Sequence, residues 1–216
     1  MDDRLTEAQE RYEAAVFAGA HEGLAAADRA LDAVEADAAL ARGRIRHARL
    51  LAAGMPGEDP EEIALFDRAL ALYRSLGDTR GEAESLFWVG CYHQVVRHDM
   101  DASEPMFARA AELGDDLTRS YALRHLAFAA HHAGRLDDAH AALTESTALR
   151  RALGFDAGVA ANLIAAADFA AEGGPGDAEA LLDEAATLAA AAEAHAVASW
   201  VDEARAAHKA ARASST

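Results

Sequence analysis

Glycine and proline interrupt this chain at regular steps: Gly54-Met55-Pro56-Gly57, Gly77, Gly114, Gly134, Gly154 and Gly173-Gly174-Pro175-Gly176. The stretches between them run for about 14 to 20 residues with apolar side chains at helical spacing, the length and period of ordinary globular helices. Helix starts are legible as well. Thr6 with Gln9, Asp59 with Glu62, Thr79 with Glu82 and Asp101 with Glu104 have the spacing of a capping box. Pro60 stands at a first helical position, and Pro105 falls in the first turn after Asp101, where a missing N–H costs little. The pattern predicts helices over 5–20, 23–37, 38–53, 60–76, 80–97, 101–113, 117–133, 136–152, 156–172, 177–193 and 197–213.

Composition supports an all-α fold. The chain has 60 alanines but only eight valines and three isoleucines, too little β-branched material for a sheet. A net charge of −17, with Lys209 the single lysine, opposes binding to nucleic acid or an anionic membrane surface. The start Met1-Asp2-Asp3-Arg4 lacks the basic and apolar regions of a secretory signal. The longest uncharged run, the 12 residues Ser85 to Val96, is too short to span a bilayer. One cysteine, Cys91, excludes an intrachain disulfide and suits a reducing compartment. A cytoplasmic protein is expected.

The segments also repeat. Leu76-Gly77-Asp78, Leu113-Gly114-Asp115 and Leu153-Gly154-Phe155 end alternate predicted helices at steps of 37 and 40 residues, a period typical of helical repeat arrays. Leu126-Ala127, Ala130, Gly134, Ala139 and Leu143 align with Ala165-Ala166, Phe169, Gly173, Ala178 and Leu182. This pattern resembles the tetratricopeptide repeat, in its longer-period actinobacterial form. The resemblance covers residues 38–195 well and 5–37 loosely. Most of the consensus Trp and Tyr are missing, and the turn from Gly54 to Pro60 is enlarged. The resemblance implies a right-handed α-solenoid in one domain, 1–213. Its units would be 5–37, 38–78, 79–115, 117–154 and 156–195, with a capping helix at 197–213 and a disordered tail at 214–216. Small residues at Gly90, Ala127, Ala139, Ala166 and Ala178 would mark helix crossings, where a bulky side chain overpacks.

Candidate sites are residues that fall off the packing stripe. In 80–97 these are Glu84, Phe87, Cys91 and Gln94; in 117–133 they are Tyr121, Arg124, His125, Phe128, His131 and His132. The resemblance implies that such faces line a concave groove. Phe87, Tyr121 and Phe128 would then form an aromatic patch beside Arg124 and His131; alternatively Phe87 and Phe128 fill the core. Arg42, Arg46 and Arg49 form a positive stripe beside Arg44 and His47, open to an anion or neutralised by Asp32, Glu35 and Asp37.

Ten histidines raise the question of a metal, with His131, His132 and His140 beside Asp137 and Asp138, and Cys91 near His93 and His98. Adjacent histidines on a helix diverge by about 100°, and no His-Glu-x-x-His or Cys-x-x-Cys pair occurs, so neither metal nor cofactor is expected. Phosphate-loop and nucleophile-elbow motifs are missing too. The resulting expectation is a non-catalytic module that binds a protein or peptide partner on its concave face. A small-molecule sensor is the alternative, and an enzyme built on Cys91, His93, Tyr121, Arg124 and His131 comes last.

Overall fold

The computed structural model describes residues 2–55 and 57–214. Ten α-helices are found among them: α1 (Asp3–Ala18), α2 (Leu24–Ala52), α3 (Pro60–Leu76), α4 (Thr79–Cys91), α5 (Met100–Leu113), α6 (Asp116–His132), α7 (Leu136–Ala152), α8 (Asp156–Ala171), α9 (Ala178–Ala191) and α10 (His195–Ser214). A π-helical turn, Tyr92–Val96, extends α4. No strand occurs among the described residues, and the helices pack mainly against their sequence neighbours. They form two compact units, residues 1–114 with α1 to α5 and residues 115–216 with α6 to α10.

The helices predicted over 23–37 and 38–53 are one, α2. No glycine or proline separates them, and the run Ala36-Asp37-Ala38-Ala39-Leu40-Ala41 propagates a helix readily. The unit boundary at 37/38 therefore falls inside α2. Three helices also start earlier than their threonine or second-aspartate signals suggested. Asp2, Asp78 and Asp99 accept the N-cap hydrogen bonds, displacing Thr6, Thr79 and Asp101. Asp59 caps α3 as expected, with Pro60 at its first position. The C-terminal tail assigned to 214–216 lies outside the described residues except for Ser214, which ends α10.

In the first unit, Phe66 is wholly buried, stacked on Trp88 at 5.6 Å. Gly43 on α2 lets that ring approach the backbone: a Cβ there would sit 2.4 Å from Phe66 Cε1. Gly90 does the same for Phe107, where a Cβ would stand at 2.7 Å. In the second unit, Ala127, Ala130, Ala139, Leu143, Ala165 and Phe169 form one core cluster, with Ala166 packed against it. A second cluster joins Val159, Leu163 and Ala167 of α8 to Leu182 and Ala185 of α9 and to Val197 and Val201 of α10. Trp200, next to the buried Val201 on α10, is 47% exposed. His208 Nε2 lies 2.8 Å from Asp168 Oδ1 and fastens the far end of α10 to α8.

Candidate functional site

Helix α6 begins on Asp115, whose carboxylate accepts from Thr118 N–H. Tyr121, Arg124, His125, Phe128 and His131 then recur every three or four residues, which places them on one face. All five are half-buried, whereas Ala122, Leu123, Ala127, Ala129 and Ala130 between them are fully buried. Leu126 between them is half-buried as well, so the 3.6-residue period separates this face from the buried side chains only in part.

Arg124 Nη1 donates to the Ala161 carbonyl at 2.7 Å and to Asn162 Oδ1 at 3.1 Å, and its guanidinium lies 4.7 Å from the Phe128 ring centre. His125 meets Phe128 edge-on, and Phe128 meets Phe169 edge-on. His131 stacks parallel on Phe169 at 4.1 Å and sits 3.4 Å from Glu172. His140 approaches the same ring edge-on. Both histidines are thus packed on an aromatic ring, and no group of three metal-ligating side chains occurs among the described residues.

Behind this face lies a polar network that sequence reasoning missed. Arg150 of α7 is 2% exposed; its Nη1 donates to the Gly158 carbonyl at 2.8 Å and to Asn162 Oδ1 at 2.9 Å, and its Nη2 has no partner. The same guanidinium lies 4.8 Å from the Tyr121 ring centre and 5.6 Å from that of Phe155. Asn162 Nδ2 donates to Ser146 Oγ at 2.8 Å and Thr147 Oγ1 at 3.1 Å, and Ser146 Oγ donates to the Ser120 carbonyl at 2.6 Å. One amide on α8 therefore accepts from two guanidinium groups and donates to two hydroxyls. Neither arginine has a carboxylate within ion-pair distance among the described residues. Burial draws each down to about 10, and the like charge of Arg150 adds to the effect on Arg124 while Asp168 opposes it. Both stay cationic at neutral pH. The available signal was Asn162 itself, a polar residue inside the apolar run Val159 to Ala167.

The α4 residues behave differently. Glu84 is half-buried and ion-paired with Arg44, but Phe87, Cys91 and Gln94 are buried. Phe87 packs edge-on to Trp88 at 5.2 Å and lies 5.9 Å from Phe107, so it fills the core of the first unit instead of lining an open aromatic patch. The cause is the uncharged run Ser85 to Val96: beyond Glu84 no charged side chain holds a face in water, and α4 packs against both α3 and α5. Burial pushes the Cys91 thiol well up, which removes its nucleophilic character.

Of the arginine stripe of α2 only Arg46 is paired among the described residues, and not to the acids the sequence suggested. Arg46 contacts Asp59 at 2.7 Å and also Glu61, while Glu35 is held by Arg68 and Asp37 by Arg4 and Tyr73. Arg42 and Arg49 form no ion pair among the described residues.

His47 and Glu62, read as part of the stripe and as a capping partner, instead make a buried pair. Nδ1 and Oε1 lie 2.8 Å apart, and Glu62 Oε2 has no partner. Burial pushes the Glu62 carboxyl up against the opposing pull of His47. Folding thus favours the protonated acid, and its contribution to stability is present at low pH and lost as pH rises through the folded-state pKa. Urea midpoints measured from about pH 4.5 to about pH 7.5 should show Glu62→Gln gaining on wild type as pH rises. A constant difference across that range would refute this assignment.

No described helix is long and apolar enough to cross a membrane. No family model matches the chain, and no curated protein matches it either.

Proposed function

We propose that this chain is a non-catalytic binding module, a right-handed helical solenoid of tetratricopeptide type, whose α6 face receives a carboxylate-bearing segment of a partner protein. The observation that carries this reading is Arg124. It is a half-buried cation without a carboxylate partner, on a chain with 17 excess negative charges. Its orientation is set in advance by the Ala161 carbonyl, Asn162 and the Phe128 ring, which lowers the ordering cost of binding. A guanidinium beside the Phe128 ring has the composition of an interface hot spot and the chemistry to grip a carboxylate.

The test is a peptide array of acidic sequences, each paired with its Asn/Gln counterpart, probed with wild type and with Arg124→Gln. Wild type should retain the acidic members selectively, and Arg124→Gln should weaken them by about tenfold, the value of one charge-assisted contact. Equal retention by both proteins, with equal thermal unfolding, overturns the reading. Thermal stabilisation of wild type by small dicarboxylates, with no peptide retained, would transfer the site to the small-molecule sensing alternative.

A further inference from the structure

A second place on the molecule, in the first unit and independent of the α6 reading, combines an unneutralised cation with an apolar floor. A cleft of about 310 Å³ opens between α2 and α3, lined by Arg42, Arg46, Glu61, Ala64 and Leu65. Arg46 and Glu61 face it as a pair, since one guanidinium nitrogen of Arg46 binds Glu61 and the other binds Asp59. Within the lining their charges cancel, and Asp59 just outside it adds one negative charge. Arg42 is exposed and forms no ion pair among the described residues, so the net charge of the lining is that of Arg42. Two turns along α2, Arg49 is also exposed and unpaired, and the segment from Ala38 to Gly57 contains no acid. A local positive field thus persists on a strongly acidic chain. Ala64 and the half-buried Leu65 supply the apolar surface.

The geometry points to this cleft as a binding site for a small aliphatic carboxylate, with the acid group on Arg42 and the hydrocarbon on Ala64 and Leu65. The volume lies at the lower end for a ligand pocket and suits a body of about five or six carbons. A guanidinium takes a carboxylate through two parallel hydrogen bonds. Arg46 cannot serve in that role while Asp59 and Glu61 occupy its terminal nitrogens. Two sources share this chemistry: a free branched-chain acid, and the terminal carboxylate of a peptide ending in leucine.

The experiment uses the full chain labelled with ¹⁵N and three probes: 4-methylpentanoate, the peptide acetyl-Gly-Gly-Leu with a free carboxylate, and the same peptide as its amide. The free acid, the peptide acid or both should shift the amide signals of α2 and α3 around Arg42 and Leu65, and the peptide amide should not. Arg42→Gln, at an exposed position, should weaken the bound probe by about tenfold. Ala64→Trp, also exposed, should fill the cleft and abolish binding with the fold retained. Response to 4-methylpentanoate alone assigns a metabolite site, and response to the peptide acid alone assigns a C-terminus site. Either supports the inference. Equal shifts with the amide, unchanged affinity in Arg42→Gln, or no shifts in α2 and α3 would each overturn it. Arg124→Gln should leave these titrations unchanged, which separates this site from the one on α6.

Discussion

Asn162→Leu should destabilise the second unit by about 3–5 kcal/mol, the range seen when one partner of a buried charge is removed. Leucine branches at the same carbon as asparagine and is the larger of the two, so the loss is not a cavity effect. Arg150 is 2% exposed and already leaves Nη2 without a partner. Losing Asn162 Oδ1 leaves its guanidinium with the Gly158 carbonyl and a long, 3.5 Å contact from Nε to Ser120 Oγ. Ser146 and Thr147 lose the donor Nδ2 in the same step. The double variant Asn162→Leu/Arg150→Met replaces network and charge together by apolar groups, and it should recover most of the loss. Urea unfolding of the wild type, both single variants and the double variant measures this coupling. A single-variant loss below about 1 kcal/mol, the level of an ordinary hydrogen bond, would show that the buried guanidinium does not depend on Asn162.

Gly43→Leu should cost about 3 kcal/mol, at the upper end for overpacking. The Cβ alone would stand 2.4 Å from Cε1 and 2.7 Å from Cδ1 of Phe66. Phe66 cannot yield easily, because it is completely buried and stacked on Trp88. The helix-propensity gain from replacing glycine, about 1 kcal/mol, is too small to compensate. Shortening the ring removes the clash, so Gly43→Leu/Phe66→Ala should cost clearly less than the sum of its two single variants. Additive losses would mean that Gly43 and Phe66 do not meet in solution.

The contrast between these two positions and α6 explains what was legible in the chain. Proline at 60 and left-handed glycines at 77 and 154 mark boundaries through their own backbone preferences, so α3 and the end of α7 could be read directly. The α6 face was readable because its period separates half-buried from buried side chains, Leu126 excepted. Helix α2 was misdivided because repeat spacing suggested a break where the local residues favour continuity. On α4 and its π-helical turn the stripe argument failed for Phe87, Cys91 and Gln94, since the uncharged run Ser85 to Val96 carries no charge to hold one side in water. Gly43 against Phe66, His47 against Glu62 and the group around Asn162 depend on contacts 12 to 38 residues apart in sequence, beyond what local periodicity encodes.

The bonds of Asn162 also set how the second unit opens. One amide on α8 is bonded to side chains of α6 and α7, and Ser146 of α7 reaches the backbone of α6. Swinging any one of these three helices away strands polar groups of the others in an apolar interior. Partial detachment is therefore penalised, and the amide protons of α6, α7 and α8 should exchange with solvent through one shared opening event. Helices α9 and α10 are joined to α8 by apolar side chains and by His208 with Asp168, and to each other by contacts such as Arg205 with Asp183 at the surface. They can fray without disturbing that network, which gives the second unit a slow-exchanging three-helix body and a faster-exchanging end.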